Sequence, residues 1–493
     1  MSDFERDLGP IQEQSDDQLL KLIPESLPDE IKQALKSCAD NLSKQESESE
    51  KFEEYIYNVN SDDIVTQYSG LNRCRKLLSN AQIAVPTEQM IEMFLQKRVH
   101  VKIFDIAKNT NIPLVKYEAL WIICNIVFGT QKQIQTILDN DGINILFSAL
   151  ESEHDEIIEL GVWGLANIAG DNLKFRDMLL QNGVLQPFIH LAQIYKGRQN
   201  GNKNPNILKK LVWAFSNLVR GKSAPKKIVI MILKNQFCID LLSILCQILV
   251  GTEDEEMLID ACWSLSYLSQ DENLIHILIK ERVTQKLILL MQTENQKLVI
   301  PALRTVGNIL TGNEEQTDAV LKLGAIQIFE KLLHNKTKAI QKEVCWSLSN
   351  IAAGNSNQVK QIIRNDQLFN SVYLSFDNGT PEIIEQISFL LSNCVVNAEL
   401  QDIDYLLMQH QYLQKMSSLL DMNQKVVINV TLEGIFELLN RVQYDDGRLE
   451  QYKKLIADSL IMKKVDKYLK HPAKEISKKA RQVFEIFQSK NNS

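Results

Sequence analysis

The chain has 493 residues, of which 45% are apolar and 24% are charged, with a formal net charge of −8. No apolar run reaches the roughly 20 residues that a membrane helix needs. The first residues also lack a basic stretch followed by an apolar one, so we expect no secretory signal and no membrane partner. The chain is therefore expected to work in the cytosol or the nucleus.

The negative charge is concentrated in the N-terminal segment. Residues 1–60 contain six Lys or Arg and fifteen Asp or Glu, whereas the remaining chain is nearly neutral. This segment has no clear hydrophobic period beyond short amphipathic stretches, so we predict an acidic, partly disordered tail over residues 1–60. Because no basic stripe is present, we do not expect direct binding of nucleic acid.

From about residue 61 one pattern recurs, in which an aromatic residue, or once an arginine, precedes an amide or phenol by four residues. All five tryptophans occupy the first position. The second position recurs at intervals of 41 to 50 residues, which is typical of armadillo or HEAT units. The pairs are Trp121 and Asn125, Trp163 and Asn167, Trp213 and Asn217, Trp263 and Tyr267, Arg304 and Asn308, Trp346 and Asn350, and Phe389 and Asn393.

A second pattern favours armadillo over HEAT units. Gly142, Gly183 and Gly324 follow a first short helix, where a left-handed residue can close the helix end. An apolar second helix and a polar turn then lead into the helix that carries the pair. This three-helix rhythm predicts an all-α, right-handed superhelical armadillo-repeat solenoid of about ten repeats. We place the repeats over residues 61–445, with a C-terminal capping repeat and short tail over residues 446–493.

The recurring pairs predict a peptide-binding surface, because residues four apart share one helix face. Stacked repeats would form two rows along a concave groove, here named the Trp/Asn ladder. Asparagine has an acceptor and two donors, so it can hold the N–H and C=O of an extended peptide. We expect exposed indoles to bind the alkyl stem and charged head of lysine or arginine. A single such pair would more often be core, but repeated asparagine in apolar helices, where it lowers helix propensity, favours binding.

Several stretches of this ladder are distinctive, including residues 163–171, 213–222 and 301–312. In these stretches, and from about residue 60 to residue 393, the chain resembles importin alpha. That family consists of armadillo adaptors that recognise basic nuclear localisation signals. The resemblance implies an adaptor that binds Lys/Arg-rich signals in an extended conformation for protein import into the nucleus, and a location in cytoplasm and nucleus.

The resemblance also implies two binding sites for such signals. The major site would comprise Trp121, Asn125, Gly129, Trp163, Asn167, Asp171, Trp213, Asn217, Asp260, Trp263 and Tyr267. Gly129 and Asp171 would hold the principal lysine. The minor site would comprise Arg304, Asn308, Thr311, Thr317, Glu343, Trp346, Asn350, Phe389 and Asn393.

The chain departs from the family pattern in several places. Ile134 stands where the family usually has threonine beside the principal lysine. Phe389 replaces the last tryptophan and Gln386 its neighbouring glutamate, so we expect a weaker minor site. The N-terminal segment is acidic where the family has a basic segment that binds importin beta. We therefore expect no autoinhibition by that segment and weak or no binding of importin beta. The C-terminal unit also lacks the family's acidic stretch for the export receptor.

Two functions stay open from the sequence. The first is an import adaptor, which a basic segment encoded upstream would favour. The second is an armadillo scaffold or cargo-retention protein that keeps the peptide groove but no longer acts with importin beta. We expect neither an enzyme nor a cofactor or metal site, because no nucleophile–base pair, phosphate-binding loop or metal-ligand spacing is present.

Overall fold

The computed structural model describes residues 19–43, 49–79, 87–197, 204–221 and 236–489, together with Pro225 and Ile228. Within these ranges the chain is helical and contains no strand. None of the helices described is long and apolar enough to span a membrane. The first 18 residues of the predicted tail and most of the polar insertion near residue 200 lie outside the described residues.

One long helix recurs in each repeat, and these helices are labelled α1 to α10. The ladder pairs lie on α2 to α8. The long helices are α1 Ile64–Ser79, α2 Pro113–Ile126, α3 Asp155–Asp171, α4 Pro205–Val219, α5 Glu255–Leu268, α6 Gln296–Ile309, α7 Lys338–Ala352, α8 Pro381–Asn397, α9 Lys425–Asn440 and α10 Lys474–Gln488. Proline opens α2, α4 and α8, where its missing N–H would have had no helical partner.

Other helices, most of them shorter, lie before α1 and between the long helices, usually two per interval, as the three-helix rhythm predicts. They are Asp29–Ser43, the 3₁₀ turn Ser49–Lys51, Phe52–Val59, Thr87–Gln96, Val99–Asn109, Gln131–Asp139, Gly142–Ala149, Leu173–Gln181, Leu185–Gly197, Gln236–Gly251, Glu272–Lys280, Val283–Leu290, Glu314–Leu321, Ala325–Leu333, Ser356–Ile363, Asp366–Asp377, Leu400–Gln409, Tyr412–Leu419, Asp446–Asp458 and Ile461–Tyr468. The predicted all-α armadillo architecture is thereby confirmed.

The glycine prediction is confirmed at two of its three positions. Gly183 and Gly324 have φ values of +81° and +77° and end the preceding helix in the left-handed region. It is wrong at Gly142, because Asp141 takes the left-handed conformation there, with φ of 67°. Gly142 instead opens the next helix, where a Cβ would lie 2.4 Å from Cγ2 of Ile137. Close packing, not backbone conformation, requires the glycine.

The chain divides into two compact units, Met1–Arg220 and Gly221–Ser493. In the first unit α1 to α4 pack in succession, and in the second unit α5 to α10 do the same. Aliphatic side chains fill the interior of each unit, such as Leu120 and Ile122 in α2 and Leu303 and Val306 in α6. Removal of this apolar surface from water stabilises each stack of repeats.

Part of the acidic N-terminal segment packs against the first unit. The helix Asp29–Ser43 contacts α1, and Leu22 and Leu35 are buried. The carbonyl of Leu22 also accepts a hydrogen bond from the N–H of Leu114 at 3.2 Å. Residues 19–43 therefore belong to the folded structure and extend the first unit ahead of α1.

Candidate functional site

The ladder asparagines connect neighbouring long helices within each unit. The Nδ2 atom donates to the carbonyl that immediately precedes the ladder position of the previous helix. The pairs are Asn217 with Ala166 at 3.2 Å, Asn308 with Ser266 at 2.8 Å, Asn350 with Gly307 at 3.1 Å and Asn393 with Ser349 at 3.0 Å. One of the two N–H groups is therefore already used. An asparagine that makes only this bond keeps a second N–H and its Oδ1 acceptor for a ligand, whereas Nδ2 of Asn308 also donates to Oγ of Ser269 at 2.9 Å.

Two asparagines of the first unit differ from this arrangement. Nδ2 of Asn125 donates to Oγ of Ser79 at 2.9 Å, a side-chain acceptor instead of a carbonyl. Nδ2 of Asn167 is buried and has no hydrogen-bond partner among the described residues, although the residue as a whole is half-buried. An unsatisfied buried donor costs about 1–3 kcal/mol. Nδ2 of Asn167 is therefore a donor that the described residues leave unused.

The indole of Trp121 is covered by other side chains of the chain. Only 1% of the residue is exposed. The guanidinium of Arg75 lies 4.4 Å from the ring centroid and pairs with Oε2 of Glu118 at 2.6 Å. The ring of Tyr117 meets the indole edge-on, with centroids 5.4 Å apart. Each pair of the ladder is here called a rung. The first rung, Trp121 and Asn125, therefore already holds a cation of the protein itself, Arg75.

The expectation of exposed indoles is wrong throughout the first unit, because Trp163 and Trp213 are also buried. Close helix packing is the physical reason. At Gly164, next to Trp163, a Cβ would lie 2.8 Å from Leu146 and 3.1 Å from Sγ of Cys124. In the second unit Trp263 and Trp346 are half-buried, so the expectation holds there in part.

The residues predicted around the principal lysine have distinct environments. Asp171 is exposed at the end of α3, and its Oδ2 accepts from Nδ2 of Asn172 at 2.6 Å. Gly129 leaves room for Gln133, whose Oε1 accepts from the N–H of Thr130 at 2.9 Å and completes a capping box. Ile134 is 1% exposed, so it offers a ligand neither a hydroxyl nor an apolar surface.

Three residues assigned to the major site belong to the second unit. Asp260 is buried on α5. The rings of Trp263 and Tyr267 stack with centroids 5.8 Å apart at an interplanar angle of 27°. Both rings are half-buried, and together they form an aromatic surface on one face of α5.

Arg304, Glu343 and Trp346 form one cluster in the predicted minor site. Nη2 of Arg304 donates to Oε1 of Glu343, and the guanidinium lies 5.4 Å from the Trp346 ring centroid. Lys342 adds a second cation 3.6 Å from the same oxygen. Oε2 of Glu343 is buried without a hydrogen-bond partner in the described part of the chain. The carboxylate therefore retains capacity to accept from another donor.

The remaining predicted minor-site residues are arranged around α6 and α8. Thr311 is exposed and donates through Oγ1 to the carbonyl of Asn308 at 2.7 Å. Thr317 is buried, so its hydroxyl is not at the surface. Phe389 and Asn393 are half-buried on one face of α8.

The sequence reasoning missed that ion pairs bridge adjacent long helices on the ladder face. The pairs are Arg75 with Glu118, Lys210 with Glu159 at 2.6 Å, and Arg304 with Glu343. The sequence does contain a pattern that indicates these ion pairs. Glu118, Lys210 and Glu343 each stand three residues before a tryptophan, on the same helix face.

Comparisons with known proteins agree with the armadillo fold. A family model for the armadillo/beta-catenin-like repeat matches residues 313–353, which span Glu314–Leu321, Ala325–Leu333 and α7. Importin subunit alpha-1a of Oryza sativa subsp. japonica is 34% identical over 62% of this chain and 55% of its own length. Importin subunit alpha-8 of Arabidopsis thaliana is 26% identical over 86% of this chain and 90% of its own length. The chain is therefore similar to importin alpha subunits and contains an armadillo-type repeat.

Two further comparisons concern the length of the relatives that is matched and the fold. The chain spans about half the length of the rice relatives importin subunit alpha-1a and alpha-1b, with 55% and 51% of those proteins covered. A crystal structure of an engineered protein superposes with a TM-score of 0.73 and 19% identity, over 89% of this chain and 99% of that chain. That similarity supports the fold alone. The named relatives are importin subunits and not enzymes.

Proposed function

We propose that this importin-alpha-like chain is an adaptor that binds Lys/Arg-rich nuclear localisation signals in an extended conformation, for import into the nucleus. The observation that carries the proposal is the repeated amide geometry. Within each unit, ladder asparagines donate Nδ2 to the carbonyl just before the ladder position of the preceding helix, at Asn217 in the first unit and at Asn308, Asn350 and Asn393 in the second. Such a regular array matches the regular backbone of an extended peptide.

Carboxylates beside the ladder support a basic ligand. Asp171 is exposed in the first unit, and Glu343 has an unpartnered oxygen in the second. A charge-assisted hydrogen bond contributes about 1.5–3 kcal/mol, more than a neutral one. A peptide with several lysines or arginines would therefore gain more at these positions than a neutral peptide of the same length.

The proposed partners are proteins that bear such signals, and the proposed location is cytoplasm and nucleus. We propose weak or no dependence on importin beta, because residues 1–60 are acidic. An acidic segment cannot occupy cation-binding positions in place of a signal. Signals could then bind the ladder without a second protein that first removes the N-terminal segment from it.

A titration of fluorescent peptides tests the proposal. A peptide with two Lys/Arg clusters should bind at least about tenfold more tightly than its glutamine-substituted copy. Asn167→Ala should weaken binding about tenfold without loss of stability, because Nδ2 of Asn167 holds no internal hydrogen bond. Equal affinity for both peptides, or unchanged affinity of the variant, would contradict the proposal.

The same titration with added importin beta tests the partner. We expect the affinity for the basic peptide to stay the same, because residues 1–60 are acidic and do not compete with it. A several-fold increase on addition of importin beta, or capture of importin beta by residues 1–60, would show that an autoinhibited adaptor is the better description.

A further inference from the structure

The ladder offers little to a lysine at its first rung. Arg75 already lies over the Trp121 indole, and its ion pair with Glu118 is buried, with side-chain exposures of 3% and 0%. To displace this guanidinium a ligand would have to leave a buried carboxylate and a buried cation unpaired, which costs about 3–5 kcal/mol. A cation from a peptide is therefore excluded from the Trp121 ring.

The polar groups at the same rung are also occupied. Nδ2 of Asn125 donates to Oγ of Ser79 at 2.9 Å. Oγ1 of Thr130 accepts from the N–H of Gln133 as the cap of the next helix, at 3.4 Å. Ile134 is buried and has no hydroxyl. Compared with a threonine at position 134, the rung therefore has one hydroxyl acceptor fewer for an ammonium group.

One large side chain remains available at this rung, and it is apolar. Phe128 is 49% exposed and lies in the turn that ends α2, where its N–H donates to the carbonyl of Asn125 at 3.3 Å. The equivalent position, three residues after each ladder position, is mostly small or polar elsewhere. Its other members are Gly170, Arg220, Gln270, Thr311, Ala353 and Val396.

We propose that Phe128 selects basic peptides in which a large apolar or aromatic residue flanks the lysine cluster. This inference rests on the proposed function and adds a specificity to it. Burial of the exposed part of the phenyl ring against a leucine or phenylalanine removes apolar surface from water. A serine at the same peptide position gains nothing from that contact.

Paired peptides test the inference with the full chain. One series carries a lysine cluster flanked on either side by Leu or Phe, and the matched series carries Ser at those positions. The native chain should prefer the apolar peptide by about three- to tenfold. Phe128→Ser should abolish this preference and retain binding of the serine peptide, whereas Phe128→Leu should retain most of the preference.

Val396→Ser is the matched control, since Val396 is the exposed apolar residue at the equivalent position of the second unit. It should leave the preference unchanged. An equal preference in the native chain and in Phe128→Ser would overturn the inference. So would no preference in the native chain while Asn167→Ala still weakens binding, a result that leaves the proposed function standing. If no lysine peptide binds at all, the proposed function fails together with the inference.

Discussion

Each unit contains a cluster of one arginine, one glutamate and one tryptophan, but only the cluster of the second unit reaches solvent. In the first unit Arg75 and Glu118 have side-chain exposures of 3% and 0% beside Trp121. In the second unit Arg304 is 38% exposed and Glu343 4% beside Trp346. A shared motif therefore has two different physical roles. The first cluster holds α1 against α2 with both charges buried, whereas in the second the guanidinium of Arg304 reaches the surface and the carboxylate of Glu343 stays buried.

Neutralisation of the carboxylate should have a large effect in the first cluster and a small one in the second. Glu118→Gln leaves Arg75 buried without its counter-charge and should lower the free energy of unfolding by about 3 kcal/mol or more. Glu343→Gln leaves Arg304 in contact with water and should cost less than about 1 kcal/mol. Urea unfolding followed by circular dichroism measures both values.

A double variant separates charge from packing in the first cluster. Arg75→Met combined with Glu118→Leu replaces the pair with apolar side chains and should recover most of the stability. Equal losses for Glu118→Gln and Glu343→Gln would show that solvent access does not distinguish the two clusters.

The second cluster also depends on a glycine that makes room for its indole. A Cβ at Gly307 would lie 2.4 Å from Cζ3 of Trp346. Gly307→Ala should therefore lower stability by about 1–3 kcal/mol, despite alanine's higher helix propensity. Gly251→Ala is a matched control, because nothing lies within 4 Å of its added Cβ, and it should be neutral or stabilising. Thermal unfolding of both variants decides the point, and equal midpoints would contradict the steric argument.

Two ladder asparagines, Asn308 and Asn167, should also differ in their contribution to stability. Asn308→Ala removes hydrogen bonds to the Ser266 carbonyl and to Oγ of Ser269, at 2.8 and 2.9 Å. It should cost about 1–2 kcal/mol of stability. Asn167→Ala removes no hydrogen bond of Nδ2 and should leave stability unchanged within about 0.5 kcal/mol. Chemical unfolding of the two variants checks this, and a larger loss at Asn167 would show that the residue is held by contacts other than its Nδ2.

A small change in peptide affinity is expected at the last rung of the second unit, Phe389 and Asn393. Phe389→Trp restores an indole to a half-buried position on α8 and should strengthen binding of a basic peptide about two- to threefold. The measurement is best made in an Asn167→Ala background, where the first unit contributes less. Phe389→Leu is the control and should weaken binding. Stronger binding by the leucine variant would argue that the rung recognises apolar groups.

Much of the fold follows from short-range pattern, and the reason is physical. The ladder register repeats because residues four apart share a helix face, so the pairs lie on α2 to α8 where the spacing predicts them. Gly183 and Gly324 end helices because left-handed backbone favours glycine. Gly142 was misassigned because close packing with Ile137 depends on a contact that local pattern does not reveal.

The candidate site was less predictable, because burial depends on neighbouring repeats. The indole face of Trp121 is lost to Arg75, a residue of the preceding repeat. The ladder asparagines use one N–H on a carbonyl of the preceding helix, which composition and spacing do not indicate. The site residues assigned by resemblance remain a prediction that the peptide titrations test.

The bonds between ladder asparagines and the preceding helices have a consequence for an empty protein. Asn217, Asn308, Asn350 and Asn393 are held in place without a ligand. Their surface therefore does not need a peptide to become ordered, and little conformational entropy is lost on docking. A random unfolded chain would gain only one or two neutral hydrogen bonds per rung, in exchange for bonds it already makes with water. Under the proposed function, discrimination between a basic signal and other exposed backbone then depends on charge, so a higher salt concentration should reduce that discrimination.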